Sequence, residues 1–356
     1  MPTQNAPLRV AISGCHRMTT PVPGSHNWAS AFAAVPDTTV VAVFDYGADT
    51  REQFLACWQE TWGEVPAYDD YGRMLAEARP DIVCVSTRTT MHVEQIEAAV
   101  DAGARGILTD RPLAPSLAEA DRIVQACRRS GVPMALGLER RWNVRYRKLQ
   151  QLLSDGLIGD VTCVALFGNA SLVYNGCQLY TPALSLAGNP EPVWAMGLVD
   201  DLTDEPPDSR RRQDPSGRGW VGLSNGVHLS VSPEGGRRPS FTVLGSEGRL
   251  DILNDTRLVY HWELNSRSGT LGSKPRIVDL PSHSEPFAAG KAAVRDLANA
   301  VRTGGKTALD TLEATHVTEI GFAIHASSDA GGARVDIPVA DRALRVEGPP
   351  DGNELP

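Results

Sequence analysis

The residues from Pro80 to Leu117 constrain the fold of this chain more than any other stretch. They open with an unbroken apolar run, Ile82 to Val85, which predicts a strand buried on both faces, as in parallel sheets. After a polar loop, apolar residues between 93 and 100 recur at helical spacing, and Gly103 is typical of the end of a helix. A second short apolar run at Ile107-Leu108 completes a strand–helix–strand crossover, which requires a parallel sheet.

Polar residues follow both strands of this crossover. Ser86 to His92, including Thr87, comes after the first strand, and Thr109 to Pro112, including Asp110 and Arg111, comes after the second. Because ligands of open α/β sheets bind at the carboxyl ends of parallel strands, we expect both segments to face one crevice.

The first 45 residues have the outline of a dinucleotide site. A strand at Leu8–Ile12 leads into Gly14, and a second strand at Thr39–Phe44 ends in Asp45, which is placed to bind the adenosine ribose hydroxyls. A carboxylate there would repel a 2′-phosphate, so NAD is favoured over NADP.

The glycine fingerprint of such a site is incomplete. If Gly14 is its first glycine, His16 and Thr19 stand at the second and third glycine positions. The residues through Gly24 could form a wider loop that still holds a dinucleotide, or the site could have lost its cofactor. The cofactor-binding candidates are therefore the loop residues Gly14, His16, Arg17 and Met18, then Asp45, and in the crevice Thr87, His92, Asp110 and Arg111.

The length of 356 residues fits two domains. Regular alternation of strands and helices predicts a doubly wound domain over residues 7–138. Residues 139–343 contain alternating runs typical of a large, mostly antiparallel sheet in an α+β domain, and residues 344–356 are expected to be a disordered tail. One face of such an open sheet often serves as a subunit interface, so we expect a homodimer or homotetramer.

The net charge limits the class of partner, and the cysteine pattern indicates the cellular compartment. A net charge of −9 argues against a general nucleic-acid partner, which would need a basic field. The six cysteines are far apart, without zinc-site spacing, which fits thiols in a reducing cytosol and predicts no metal site. No signal-peptide core and no membrane-spanning run is found, so a cytoplasmic protein is expected.

The order of several motifs resembles the glucose–fructose oxidoreductase/inositol dehydrogenase (Gfo/Idh/MocA) family over about residues 8 to 340. The segments that carry the resemblance are Val41–Asp45, Tyr68–Tyr71, Asp81–Val83 with His92, Asp110–Ala114, Gly156–Asp160 and Gly245–Gly248. The resemblance implies an N-terminal Rossmann domain, a C-terminal domain with an open sheet, and a bound NAD or NADP. It also implies oxidation or reduction of a sugar, cyclitol or related alcohol by a dimer or tetramer.

The departures from this family fall on the residues that carry its chemistry. The family's Glu-Lys-Pro is here Asp110-Arg111-Pro112, and arginine keeps the charge but is a poor proton shuttle. The family's Gly-x-His-x-x-Asp aligns with Gly176–Thr181, which places Gln178 at the catalytic histidine and Thr181 at the aspartate. Glutamine can form hydrogen bonds but cannot exchange a proton near neutral pH.

The sequence therefore favours an NAD(P)-linked oxidoreductase that transfers a hydride to or from a small polar substrate with non-standard catalytic residues. The catalytic candidates are Arg111, Gln178, His92 and Tyr180; Arg111 could stabilise an alkoxide, and His92, Tyr180 or water could supply a proton. Two alternatives stay open. One is a lyase, hydrolase or isomerase in the same cleft, and the other is a non-catalytic ligand sensor of the same fold.

Overall fold

The computed structural model describes residues 6–22, 27–168, 170–200, 211–236, 238–265, 268–272, 274–282 and 285–347. Its contacts divide the chain into two compact units, one of residues up to 142 together with 283–315, the other of residues 143–282 and 316 onward. The sequence places the boundary at residue 138 and groups 285–315 with the second domain, whereas the contacts place that segment in the first unit.

The first unit begins with an alternating series of strands and helices. In chain order these are β1 (Leu8–Ser13), α1 (Trp28–Ala33), β2 (Thr38–Phe44), α2 (Ala48–Trp62), β3 (Ala67–Tyr68), α3 (Tyr71–Ala78), β4 (Ile82–Val85), α4 (His92–Asp101), β5 (Gly106–Thr109), α5 (Leu117–Ser130) and β6 (Met134–Leu136). All six strands pair in parallel, in the order β3-β2-β1-β4-β5-β6. This is the doubly wound order in which a ligand binds where the strand order reverses, between β1 and β4.

Local sequence explains where these helices begin and end. The Ser116 side chain accepts the backbone N–H of Glu119 at the start of α5, which satisfies a donor that the helix leaves open. Gly131 ends α5 with φ +64°, a left-handed conformation that glycine adopts without strain. Strand β4 is buried along its whole length, as its unbroken apolar run predicts.

The second unit contains most of the remaining elements. In chain order the rest of the chain forms α6 (Val144–Ser154), β7 (Val161–Phe167), α7 (Cys177–Leu186), β8 (Pro192–Val199), β9 (Arg211–Gln213), β10 (Gly217–Leu223), β11 (His228–Ser232), β12 (Ser240–Gly245), β13 (Gly248–Leu253), β14 (Leu258–Asn265), β15 (Thr270–Leu271), β16 (Arg276–Ile277), α8 (Ala288–Thr303), α9 (Thr311–Asp329), β17 (Val335–Asp336) and β18 (Arg345–Glu347). Of these, α8 belongs to the first unit and packs against β5.

The large sheet of the second unit has ten strands within the described ranges, in the order β15-β14-β13-β12-β7-β11-β10-β8-β17, with β16 beside β14. Its pairs are antiparallel except β7 with β11. The structure thus confirms the predicted fold class, a doubly wound parallel sheet plus an α+β unit with a large antiparallel sheet. In the expected tail, residues 345–347 pair with β9, and residues from 348 onward lie outside the described part.

One face of the large sheet is covered by helices and the other carries exposed apolar side chains. On the covered side the Ser327 and Ser328 hydroxyls of α9 accept the N–H groups of Gly197 and Val199 in β8. We call the other side the open sheet face; its exposed apolar side chains are Phe167, Met196, Leu198, Trp220 and Leu244.

Candidate functional site

The ends of β1, β2 and β4 meet at Gly14. Its N–H donates to the Phe44 carbonyl at 2.9 Å, and the Ser86 N–H donates to the Ser13 carbonyl at 2.7 Å. Gly14 has φ +90°, and a Cβ placed on it would lie 2.4 Å from the Ser86 carbonyl oxygen. Because real Cβ atoms do not approach so closely, glycine is required at this position.

Asp45 anchors the loop that follows Gly14. One carboxylate oxygen accepts the N–H of Cys15 at 2.8 Å and the other accepts the N–H of Gly47 at 2.9 Å. The Arg51 guanidinium donates to the Asp45 carbonyl at 2.6 Å. Each carboxylate oxygen has a second lone pair, so the partly exposed Asp45 can still accept hydrogen bonds from two hydroxyl groups.

A short 3₁₀ turn contains the loop candidates His16, Arg17 and Met18. Their side chains differ in exposure. The side chains of His16 and Arg17 are exposed, whereas Met18 is fully buried. The Met18 sulfur accepts the N–H of Ala29 at 3.3 Å, and its carbonyl accepts the Trp58 indole N–H at 2.7 Å. Met18 therefore fixes the turn to the core, and the other two side chains face outward; Gly24 lies outside the described residues.

At the end of β5, the Asp110 carboxylate is buried in a network that the sequence analysis missed. One oxygen accepts the Trp28 indole N–H at 2.8 Å, and the other accepts the Ser86 hydroxyl at 2.6 Å. The residue is 7% exposed. Arg111, the next residue, is partly buried, so the network fixes the point from which the Arg111 side chain departs.

Thr87 is held by a second buried polar group that the sequence analysis did not identify, Gln95 of α4. The Gln95 side-chain oxygen accepts the Ser13 hydroxyl at 3.0 Å and the Thr87 hydroxyl at 2.9 Å. This single acceptor joins the end of β1 to the loop after β4, on the two strands that flank the switch point.

His92 is fully buried at the start of α4. Its Nδ1 lies 3.2 Å from the Leu113 carbonyl oxygen and its Nε2 lies 3.2 Å from the Thr87 carbonyl oxygen. Burial lowers the pKa of the imidazole, and the hydrogen bond to the Leu113 carbonyl opposes this in part. The ring thus joins the loop after β4 to the segment after Pro112, and both of its nitrogens face backbone carbonyls.

The candidates Gln178 and Tyr180 lie on α7 in the second unit. Gln178 is partly exposed, whereas Tyr180 is fully buried. Burial raises the pKa of the Tyr180 phenol well above its ordinary value, and the negative charge of Asp214 adds to this. Thr181, at the position aligned with the family's aspartate, is buried and donates its hydroxyl to the Cys177 carbonyl at 2.8 Å. In this first turn of α7, Gln178 is the candidate that solvent can reach.

Among the described residues, no cluster of three or more His, Cys, Asp or Glu side chains is suited to bind a metal ion. Nor is any helix in that part of the chain long and apolar enough to cross a membrane.

Comparison with known proteins matches residues 8–138 to a profile described as "Oxidoreductase family, NAD-binding Rossmann fold". A myo-inositol 2-dehydrogenase of Thermotoga maritima is 29% identical over 112 residues, 32% of this chain and 33% of that protein. A D-apiose dehydrogenase of Paraburkholderia graminis is 33% identical over 135 residues, 38% of this chain and 35% of that protein. The chain thus matches only about a third of the length of these curated relatives.

The similarity of fold extends over nearly the whole chain. A levoglucosan dehydrogenase structure, in complex with NADH and L-sorbose, superimposes with a TM-score of 0.75 at 17% identity and covers 94% of this chain and 100% of that one. An Agrobacterium radiobacter oxidoreductase, in complex with NAD⁺, L-tartaric acid and magnesium, gives 0.72 at 15% identity, with coverage of 93% and 98%. Residues 8–138 thus match the Gfo/Idh/MocA family of NAD-binding oxidoreductases, and the chain shares its overall fold with these solved structures.

Proposed function

We propose that this protein is an NAD(H)-dependent oxidoreductase acting on a small polar hydroxyl or carbonyl compound of the sugar or cyclitol class. The observation that carries the proposal is the placement of Gly14 and Asp45 at the carboxyl ends of β1 and β2, in a sheet whose order reverses beside β1. Names of the relatives supply the substrate class, since they include inositol and apiose dehydrogenases.

The residues of the crevice fit a dinucleotide. Gly14 lets the chain run close to Ser86, leaving no side chain at the first fingerprint position. Asp45 offers carboxylate lone pairs to the two ribose hydroxyls and would repel a 2′-phosphate, which favours NAD over NADP. His16 stands where the fingerprint has its second glycine, and Arg17 is the next residue; both side chains are exposed, so we propose that they contact the pyrophosphate. When bound, the nicotinamide would supply or accept the hydride.

The candidate polar residues of each unit support binding and orientation more than proton exchange. The Arg111 guanidinium could stabilise the negative charge that develops on a substrate oxygen. His92 has both ring nitrogens on backbone carbonyls, and Tyr180 is fully buried. In the second unit, Gln178 offers a hydrogen-bonding amide. We therefore propose that water supplies the proton, which suits an activated carbonyl, imine or activated double bond best.

The first test is a direct measurement of nucleotide. Purified protein is denatured and the released NAD(H) and NADP(H) are quantified, and each is titrated calorimetrically into the native protein. We expect NAD(H) to bind more tightly than NADP(H). Binding of neither at about millimolar concentration, which is a free energy of only about −4 kcal/mol, would remove hydride transfer from consideration.

A second test separates substrate binding from nucleotide binding at Arg111. Arg111→Ala should keep NADH affinity within about threefold of wild type, a change under about 1 kcal/mol, yet abolish turnover of sugars and cyclitols that wild type accepts. Arg129→Ala, at an exposed position of α5, is the matched control. Equal turnover in both variants would show that Arg111 has no part in catalysis.

A second candidate function is a ligand sensor that keeps the fold without turnover. The burial of His92 and Tyr180 favours it, because a sensor needs no proton donor. The two functions differ in one observable. An oxidoreductase changes the absorbance of its nicotinamide in the presence of a substrate, whereas a sensor binds a polyol and leaves the nicotinamide unchanged.

We also propose that the protein is a cytoplasmic homodimer or homotetramer formed through the open sheet face. Trp220 and Leu198 are 53% and 50% exposed on adjacent strands, and an exposed apolar patch of this kind is typical of a subunit interface. All six cysteines are free thiols, which suits a reducing compartment.

A further inference from the structure

The turn before α7, residues 171–176, is held by a buried carboxylate on another part of the second unit. Asp214 accepts the N–H of Val173 at 3.0 Å on each of its two oxygens and the N–H of Tyr174 at 2.6 Å. The Leu172 N–H donates to the neighbouring Pro215 carbonyl at 3.1 Å. The Asp214 side chain is only 2% exposed, so these backbone donors replace the water that an ionised carboxylate would otherwise bind.

His325 of α9 completes the environment of this carboxylate. Its ring is fully buried and its Nε2 lies 3.2 Å from the Asp214 Oδ1 atom. A carboxylate can only accept, so the geometry assigns the Nε2–H tautomer to the bond between them. Asp214 and His325 are 111 residues apart in the sequence, and the pair ties α9 to the turn through the carboxylate.

The turn is tightly wound and lies close to α9. A Cβ on Gly176, at the start of α7, would lie 2.2 Å from the Leu172 carbonyl oxygen, and a Cβ on Gly321 of α9 would lie 2.6 Å from the same atom. Gly321 is four residues before His325, so both lie on the face of α9 that meets the turn. The position of the turn is therefore fixed from α9 by close approach and by the hydrogen bond to Asp214.

A buried carboxylate–histidine pair of this kind contributes little to stability when compared with apolar side chains of the same volume. In some proteins such a pair fixes the geometry of a neighbouring functional group. The group that follows this turn is Gln178, whose N–H donates to the Asn175 carbonyl at 3.0 Å and whose side chain is partly exposed. Any shift of the turn moves the first turn of α7 and the Gln178 amide with it.

We propose that Asp214 and His325 are positioning residues that hold the turn at 171–176 and thereby set the place of the Gln178 side chain for substrate recognition. This inference rests on the proposed function, because that function makes Gln178 a substrate-binding residue. The His325 N–H orients the Asp214 carboxylate, and the carboxylate holds the two backbone N–H groups.

Hydrogen–deuterium exchange of the full-length protein tests the proposal, read on peptides covering 171–178. His325→Leu removes the donor, and His325→Gln keeps a side-chain N–H that can reach Asp214. We expect exchange in 171–178 to be at least about tenfold faster in His325→Leu and within about twofold of wild type in His325→Gln. Peptides from β10 to β12 should exchange as in wild type in both variants, which a general loss of core packing would not allow.

Two further variants keep the test decisive. Asp214→Asn replaces one acceptor oxygen by a donor, so it should give the same local increase even if His325→Leu fails to fold. Asp251→Asn is the matched control, because Asp251 of β13 is likewise a carboxylate with several donors, here the side chains of Thr242, Arg249 and Trp262. It should leave 171–178 unchanged.

Three results would overturn the inference. They are unchanged exchange at 171–178 in both His325→Leu and Asp214→Asn, an equal increase across the whole second unit, and failure of His325→Gln to restore protection. NADH titration of the same samples reports on the proposed function by itself. If the wild-type protein does not bind NADH, the proposed function is wrong. The exchange data would still test whether Asp214 and His325 hold the turn.

Discussion

The indole N–H of Trp28 donates to the buried carboxylate of Asp110 at 2.8 Å, although the two residues are 82 positions apart. Trp28 begins α1, which follows the glycine loop in the sequence, and Asp110 follows β5, immediately before Arg111. The apolar neighbours of Trp28 in the sequence indicate a core residue. Its indole is therefore both part of the core and the hydrogen-bond donor that fixes the segment carrying Arg111.

Trp28→Phe should destabilise the protein by about 1–3 kcal/mol, because it removes the indole donor from a buried carboxylate. Urea unfolding measures this change. Trp62→Phe is the control, because it makes the same chemical change in α2, where the Trp62 ring stacks on Trp58. It should lower the unfolding free energy by less than Trp28→Phe. Equal losses in the two variants would mean that the cost reflects ring size and not the bond to Asp110.

Gly14→Ala should lower the unfolding free energy more than an alanine substitution at a glycine whose only constraint is a positive φ. Its Cβ would meet the Ser86 carbonyl oxygen at 2.4 Å, so the ends of β1 and β4 would have to separate. We expect a loss of at least about 2 kcal/mol in unfolding free energy beyond the backbone strain, together with loss of NADH binding.

The control for this substitution is Gly131→Ala. Gly131 has the left-handed conformation, φ +64° and ψ +23°, but no atom within 4 Å of a Cβ placed on it, so the substitution costs only backbone strain of about 1–2 kcal/mol. Similar unfolding free energies for the two alanine variants would contradict the close approach at Gly14.

Patterns that are local in the sequence predicted much of this fold. The apolar run at Ile82–Val85 and the strand ending before Asp45 were placed correctly, since burial on both faces of a parallel sheet leaves a continuous signal. Helix α7 and strand β8 were not predicted. Pro182 stands inside α7, and β8 combines glycine with exposed apolar residues on the open sheet face, so neither has a clear period.

The polar networks could not have been predicted from one sequence. The bonds of Ser13 with Gln95 and of His325 with Asp214 join residues 82 and 111 positions apart. A buried glutamine or histidine on a helix has the same local pattern whether or not it meets a partner. The candidates at strand ends were accessible to prediction because topology alone brings those ends together.

Asp45→Ala should weaken NAD binding by about tenfold or more, because hydrogen bonds to a charged group contribute about 1.5–3 kcal/mol each. The same change should narrow the preference for NAD over NADP, since the charge that repels a 2′-phosphate is gone. Calorimetric titration of both nucleotides checks this. Asp49→Ala, at an exposed position in the first turn of α2, is the control. Unchanged NAD affinity in the Asp45 variant would refute the placement of the ribose.

Trp220→Arg should dissociate the proposed oligomer. Trp220 is 53% exposed at the open sheet face, and a charge there would have to be desolvated in any interface that covers it. Sedimentation velocity over a concentration series measures the effect. Val144→Arg, which is 46% exposed on α6, adds the same charge away from the sheet and should leave the mass unchanged. A monomeric wild type would remove the open sheet face as a subunit interface.

His92 should make the stability of the protein fall in mild acid. Burial lowers its pKa below the ordinary value of 6.5, so below that pH the unfolded chain binds a proton that the folded ring resists. Stability therefore rises with pH through this range and is fully present above about pH 6.5, where both states are neutral. The glutamine side chain of the His92→Gln variant does not titrate. The difference in unfolding free energy between wild type and this variant should therefore shrink as the pH falls from about 7.5 to about 5. Urea unfolding at several pH values measures this, with His228→Gln at an exposed position of β11 as the control. A gap between wild type and His92→Gln that is constant with pH would show that the buried ring does not resist protonation.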